Sequence, residues 1–211
     1  MDNHQQAKNQ PPQPKNIAFV LGNGRTRQRL NLHELKKFGK IYGCNALYRE
    51  FEPDYLVAVD EKMIKEIEKT HWQMTHEVWT NPNKGVLNFQ GFRFFNPHKG
   101  WSSGPTALWL ASTHTYTDIY IFGFDYAGVD GKFNNVYADT PNYRRSSEPA
   151  TYFGNWANQT EKVIREFPST NYIRVIEKNT FVPDNIRNLT QNFQHKTFED
   201  LLDDFPGAIL I

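Results

Sequence analysis

The chain contains a single cysteine, Cys44, among 211 residues. One cysteine cannot build an internal disulfide framework or a zinc site with several thiolate ligands. Because Cys44 ends an apolar segment, we interpret it as a small buried side chain, with a reactive thiol as the alternative. This cysteine usage and the polar first residues predict a cytoplasmic protein.

Long apolar runs and an excess of charge are also missing. No uninterrupted apolar stretch approaches the ~20 residues of a spanning helix, so we predict a soluble chain with no membrane span. The net charge of +1 gives no reason to expect nucleic-acid binding through bulk electrostatics, although a local basic patch is not excluded.

Metal-binding motifs are absent from the sequence as well. No Asp-x-Asp follows an apolar strand, and the Asp203-Asp204 pair falls in a predicted terminal helix. Several histidines lack the His-x-x-x-His spacing of a metal site, namely His71, His76, His114 and His195. We therefore predict no metal.

The most informative pattern present is a repeated junction in which an apolar, strand-like segment ends in small or polar residues. It occurs at Ile17–Thr26, Lys40–Asn45, Tyr55–Asp60 and Asp118–Asp125. Parallel strands place such ends along one carboxyl edge of a sheet, where ligands bind. The pattern predicts an α/β, Rossmann-like fold with a mostly parallel central sheet, helices on both faces, and a ligand crevice at that edge.

Periodicity and turn residues predict the individual elements. Residues 1–15 are predicted to be a disordered polar tail and residues 16–211 a single α/β domain. Residues 128–149, after the strand that ends at Asp125, are predicted to be a lid-like loop. Strands are predicted at 16–21, 41–43, 55–59, 119–122 and 172–176, helices at 30–38, 61–69, 105–114, 155–167 and 197–204, and a loop-rich insertion with short strands 78–79, 86–89 and 92–95 at 71–98.

The turn Gly22-Asn23-Gly24 by itself is weak support for a ligand, because a tight turn from strand to helix needs glycine in any case. The third glycine of a dinucleotide fingerprint would fall at Arg27, which disfavours NAD and FAD. No Gly-Lys-Ser/Thr follows, so the turn is not a P-loop either.

Taken together, four short motifs resemble those of the bacterial CMP-sialic-acid-dependent sialyltransferases that act on lipooligosaccharide. They are Gly22–Gly24, Cys44-Asn45, Ser102–Gly104 and Gly123–Tyr126, and the resemblance covers about residues 16–182. It implies a Rossmann-like glycosyltransferase with a CMP-sugar donor, no cofactor, a glycan or other hydroxyl acceptor, and assembly as a homo-oligomer.

The same resemblance implies which residues bind the donor. The phosphate and sugar of the donor would be contacted by Gly22, Asn23, Gly24 and Thr26. Asn45 and Asp60 would contact other groups of the donor. A helix N-terminus over the donor would contain Ser102, Ser103 and Gly104. The cytidine would lie beside Gly123, Asp125 and Tyr126. Tyr152 would lie near the family's catalytic segment. Some of these positions also have a purely local explanation: Asn45, Asp60 and either Ser102 or Ser103 as helix caps, and Asp125 as an Asx-turn residue.

The catalytic residues match the family less well. Tyr137-Ala138-Asp139 resembles the family's lid, whose tyrosine bonds the departing phosphate, although Tyr137 could instead pack the loop onto the protein. The family's catalytic histidine corresponds to Asn155, which cannot accept a proton near neutral pH. We therefore name His98 as the candidate replacement base or phosphate contact, with an ordinary exposed loop histidine as the alternative. Two further departures from the family's pattern are Gly100 in place of an arginine and Ala127 in place of a second tyrosine.

Two other functions are compatible with these residues. Arg144-Arg145, with Lys132 and Tyr143, would suit an anionic acceptor in a transferase that modifies a nucleic acid or a small molecule, or would simply be a solvated charge pair. A catalytically inactive protein that binds a nucleotide or a nucleotide sugar would keep the donor motifs and lose the base.

Overall fold

The computed structural model describes residues 15–210, so the predicted tail lies, apart from Lys15, outside the described residues. These residues form one eight-stranded sheet in the order β5-β4-β3-β2-β1-β6-β7-β8, and every neighbouring pair of strands is parallel. The strands are β1 Ile17–Leu21, β2 Lys40–Cys44, β3 Tyr55–Val57, β4 Val78–Thr80, β5 Phe92–Phe94, β6 Asp118–Phe122, β7 Asn171–Ile176 and β8 Phe193–Thr197.

The strand order reverses at β1, which pairs with β2 on one side and with β6 on the other. The β1–β6 register runs from Ile17 opposite Asp118 to Leu21 opposite Phe122, so the two strands end side by side. Both strands are almost entirely apolar and buried, as expected for central strands that are covered on both faces. Such a switch point is where open α/β sheets bind ligands.

Helices cover both faces of the sheet. Alternate β1 residues enter two separate cores, with Phe19 on one face and Val20 on the other. The helices of the described residues are α1 Leu32–Leu35, α2 Glu61–Thr70, α3 Ser103–Thr113, α4 Gly154–Glu166 and α5 Asp184–Arg187. Residues of α1 and α2 contribute to the core that contains Phe19, and residues of α3, α4 and α5 to the core that contains Val20. The predicted α/β, Rossmann-like fold is confirmed.

Three of the predicted elements are wrong. Residues 86–88 belong to a turn and residue 89 to no strand, and the segment 71–98 is not an insertion, because β4 and β5 extend the same sheet. The predicted last helix is instead the end of β8, followed by a 3-10 turn at Glu199–Leu201. β8 is an edge strand in which Phe193 is buried and Gln194 is exposed. Because most of its residues are polar, a search for apolar runs in the sequence does not detect it. The short helix α5 was not predicted.

Within residues 15–210, none of the helices combines the length and the apolar character that crossing a membrane requires.

Candidate functional site

The four predicted junctions meet at one cavity of about 410 Å³ at the carboxyl edge of the sheet. Its floor consists of Gly22–Gly24 after β1, Cys44-Asn45 after β2, Asp60 after β3 and Gly123–Ala127 after β6. The first residues of α3, Ser102–Pro105, form one wall. The volume is in the range that accommodates a small organic ligand.

The turns after β1 and β6 lie against each other. The Gly22 N–H donates to the Phe122 carbonyl at 2.8 Å, and the Gly24 N–H donates to the Gly123 carbonyl at 2.9 Å. A Cβ on Gly22 would lie 2.5 Å from the Gly123 oxygen, and one on Gly24 would collide with the Asp125 carboxylate. Both glycines therefore serve close backbone packing, and their N–H groups are used within the fold.

The Asp125 carboxylate joins the β1 turn to the long loop after β6. It is 9% exposed and accepts hydrogen bonds from the Thr26 backbone N–H at 3.3 Å, from the Thr26 hydroxyl and from Asn134 Nδ2 at 2.9 Å. The Arg25 N–H donates in turn to Asn134 Oδ1 at 2.9 Å. Thr26 does not line the cavity, and the structure instead places it behind the site as a partner of Asp125.

Arg174 on β7 holds the backbone of the turn after β6 through hydrogen bonds to its carbonyl groups. This guanidinium is 1% exposed and donates to the carbonyls of Phe124 at 2.9 Å and Asp125 at 3.3 Å. It also donates to His195 Nε2 at 3.3 Å. Burial and the neighbouring Arg174 charge lower the pKa of His195 to about 4, so this imidazole is neutral at pH 7.

The wall formed by α3 is connected to the ends of β2 and β3 through Ser103. Its buried hydroxyl donates to Asn45 Oδ1 at 2.7 Å and accepts the Val59 N–H at 3.1 Å. Asn45 has a φ of 54°, a left-handed conformation that asparagine tolerates better than most residues. These contacts orient Asn45 and the first turn of α3 toward the same space.

Asn23 presents a buried polar atom without a partner. Its Nδ2 donates to the Cys44 carbonyl at 3.4 Å, whereas its Oδ1 has no hydrogen bond within the described residues. Asn23 is 7% exposed and lines the cavity. An unpaired buried acceptor costs free energy unless a ligand or water supplies a donor.

The hydroxyl and thiol groups of the cavity keep their protons at neutral pH. Burial raises the pKa of the Cys44 thiol to about 12, in agreement with an unreactive buried side chain. Burial likewise raises the pKa of Tyr126 to about 12, and its hydroxyl donates to Thr160 at 2.6 Å, away from the cavity. The Tyr143 hydroxyl accepts the Ala46 N–H at 3.3 Å, and burial raises its pKa as well.

The long loop between β6 and α4 folds down over the cavity and contributes Phe133–Asn135, Asn142–Arg144, Thr151 and Phe153 to its lining. The Val136 N–H donates to the Asn23 carbonyl at 2.8 Å. Further along, Arg49 donates to the Thr140 hydroxyl and the Pro141 carbonyl, both at 2.9 Å. The predicted lid-like loop is therefore present and anchored.

A salt bridge between Arg49 and Glu66 supports this anchor. Two guanidinium nitrogens of Arg49 each lie 2.7 Å from a Glu66 carboxylate oxygen, and Asn142 Nδ2 donates to the same carboxylate at 2.6 Å. Burial alone would raise the pKa of Glu66, but the hydrogen bonds from Arg49, Tyr48 and Asn142 outweigh it and lower that pKa. Glu66 is therefore charged at neutral pH and holds the loop.

Three further predicted site residues do not line the cavity. Tyr137 is 7% exposed, and its hydroxyl accepts from Arg27 at 2.9 Å and donates to Glu50 at 2.5 Å, so it packs the loop onto the protein. His98 is exposed in the β5–α3 connection, and Tyr152 is 79% exposed. Asn155, at the position of the family's catalytic histidine, is exposed on the first turn of α4.

Several lining residues were not predicted as site residues. They are the aromatic and asparagine side chains of the long loop and of α4, namely Phe133, Asn134, Asn135, Asn142, Tyr143, Phe153 and Trp156. A loop rich in Asn and aromatics directly after a strand end was the available signal. Arg144, considered above as part of an acceptor patch, lines the cavity, and its Nε pairs with Glu148 at 2.8 Å.

Within the described residues, no group of three or more His, Cys, Asp and Glu side chains is arranged to hold a metal ion.

No protein-family model matches the chain, and no curated protein is similar to it in sequence. Among solved structures, the monofunctional α-2,3-sialyltransferase Cst-I from Campylobacter jejuni is similar over 98% of this chain and 92% of its own, with a TM-score of 0.53 and 13% identity. A variant of the sialyltransferase Cst-II in complex with CMP is similar over 76% of this chain and 81% of its own, with a TM-score of 0.48 and 14% identity. The likeness to Cst-I confirms, at the level of the fold, the resemblance to sialyltransferases that the motifs indicate.

Proposed function

We propose that the chain transfers a sugar from a CMP-linked donor, CMP-sialic acid or a related CMP-sugar, to a hydroxyl acceptor without a metal ion. The observation that carries the proposal is the meeting of four strand ends and the first turn of α3 at one cavity of about 410 Å³. This cavity lies at the switch point of a sheet that shares its fold with a sialyltransferase. The motifs that resemble the sialyltransferases line it.

The phosphate of the donor is assigned to the N-terminus of α3. This helix has 11 residues, and its first turn offers two N–H groups without a partner in the helix, those of Ser103 and Gly104, since Pro105 has no N–H. The positive end of the helix dipole favours an anion there, as does the hydroxyl of Ser102. Asn23 Oδ1, buried and unpaired, is assigned to a hydroxyl of the ribose or the sugar.

The departure of CMP is assigned to groups on the long loop. When the bond between the anomeric carbon and the phosphate oxygen breaks, negative charge develops on the phosphate. Tyr143, whose hydroxyl is protonated at neutral pH, and Arg144 both line the cavity and are assigned to supply a hydrogen-bond donor and a positive charge. Tyr143 thus takes the role that the motif match assigned to Tyr137, whose hydroxyl is engaged by Arg27 and Glu50.

The test is the release of CMP from CMP-sialic acid in the presence of EDTA, with water as the acceptor. We expect Arg144→Gln to lower the rate about tenfold or more, because it removes the positive charge beside the leaving phosphate. Arg145→Gln is the matched control, since Arg145 does not line the cavity, and it should stay within about twofold of the original chain.

Three outcomes would contradict the proposal. Binding of CMP without any release from CMP-sialic acid would favour an inactive nucleotide-binding protein. Loss of activity in EDTA would contradict a metal-independent transfer, and the absence of CMP binding would contradict the donor assignment. A nucleic-acid acceptor receives no specific support, because Arg144 lines the donor cavity.

A further inference from the structure

A second cavity of about 400 Å³ adjoins the first and is lined by Asn45, Asp60, Lys62, Met63, Asn142 and Tyr143. Four of these residues, Asn45, Asp60, Asn142 and Tyr143, also line the larger cavity. The two spaces therefore share a boundary between the end of β2, the start of α2 and the long loop. A donor in the larger cavity would expose its reacting carbon to a molecule that enters through the smaller one.

The carboxylate at this boundary belongs to Asp60 and has no partner within residues 15–210. Asp60 is the N-cap of α2, yet its side chain accepts no hydrogen bond from the helix, unlike Asn31 at the start of α1, which accepts the Glu34 N–H at 3.3 Å. No salt bridge or side-chain hydrogen bond to Asp60 is formed in the same residues, and the residue is exposed. Its oxygens are therefore free to accept a proton from a ligand.

The other titratable groups of the larger cavity do not suit proton removal. Asp125 already accepts three hydrogen bonds. Cys44, Tyr126 and Tyr143 retain their protons because burial raises the pKa of each. Arg144 is a cation without an acceptor. Among the described residues, Asp60 is the only carboxylate that lines both cavities.

We infer that Asp60 is the general base of the transfer and that the acceptor hydroxyl binds in the second cavity; this inference rests on the proposed function. The acceptor O–H proton moves to an Asp60 oxygen while the acceptor oxygen bonds to the anomeric carbon. The bond from that carbon to the phosphate oxygen breaks, and its electron pair leaves with CMP. Asp60 thereby replaces the histidine that the chain lacks at Asn155.

The experiment measures CMP release from CMP-sialic acid, with water as the acceptor, in Asp60→Asn. The Asp60 side chain makes no capping bond to α2, so this change leaves the start of the helix intact. We expect the rate to fall about 100-fold or more, the range of a general base, and CMP affinity to stay within about threefold. Asp203→Asn, the same chemical change at an exposed residue far along the chain, should match the original rate.

Azide separates a base from a merely structural residue. Azide needs no deprotonation, so it should restore CMP release in Asp60→Asn and form the glycosyl azide, detected by mass spectrometry, with little effect on the original chain. Three results would each overturn the assignment of Asp60. They are a rate in Asp60→Asn within about fivefold of the original, a loss of CMP affinity in this variant, and a slow rate that azide does not restore. Failure of the original chain to bind CMP or release it from CMP-sialic acid would instead overturn the proposed function.

Discussion

Replacing Asp125 with alanine should destabilise the whole fold, because this carboxylate joins the β1 turn to the long loop. The change removes the acceptor of the Asn134 Nδ2 bond at 2.9 Å, of the Thr26 hydroxyl bond and of the longer Thr26 N–H bond at 3.3 Å. A hydrogen bond to a charged group contributes about 1.5–3 kcal/mol. Counting the two short bonds at the lower end of that range gives a loss of about 3–4 kcal/mol in the free energy of unfolding.

The assay is urea denaturation together with a thermal melt. At about 2–4 °C per kcal/mol for a chain of this size, the melting temperature should fall by about 6–16 °C. Asp203→Ala, at an exposed position, should change the free energy of unfolding by less than about 0.5 kcal/mol. A loss below about 1 kcal/mol for Asp125→Ala would refute the role assigned to this carboxylate.

Three further changes test other parts of the structure. Arg49→Ala removes hydrogen bonds that anchor the long loop, so the amide hydrogens of residues 137–145 should exchange with solvent faster, as measured by mass spectrometry. Unchanged exchange rates would contradict the role of Arg49 as an anchor. Ser103→Ala should lower the free energy of unfolding by about 1–2 kcal/mol in urea, because the hydroxyl that bonds Asn45 is lost, and no loss would rule out this connection. Between pH 6.5 and about 4, the His195 imidazole is neutral in the folded protein and takes up a proton on unfolding, so it makes the free energy of unfolding fall as the pH falls. His195→Gln should therefore make this fall less steep. The same pH dependence in the variant and the original chain would show that His195 does not cause it.

The sequence predicted the fold where apolar runs are continuous. The strands that begin at Ile17 and Asp118 are buried on both faces, so their composition alone identifies them. In β8, one residue of five is buried and the other four are polar, so the periodicity of the sequence does not distinguish this strand from a loop. The short strand β5 was found, but its place in the sheet depends on pairing with β4, a contact that no local pattern specifies.

The site was predictable where the sheet itself positions the residues. Strand ends such as Asn23 and Asn45 reach the cavity because parallel strands end at one edge. Tyr137 and Tyr143 lie in the same loop, yet only Tyr143 lines the cavity, because contacts distant in sequence, such as that of Arg27 with Tyr137, decide how the loop folds. Such loop geometry does not follow from local spacing.

The most direct test of the account is a titration of the isotope-labelled chain with CMP, followed by amide chemical shifts. We predict that the largest changes occur at Gly22–Gly24, Asn45, Ser102–Gly104 and Gly123–Ala127, with saturation at one equivalent of ligand. No binding, or changes centred instead on the groove lined by Arg25 and Lys132, would contradict the claim that the strand ends and the start of α3 form the nucleotide site.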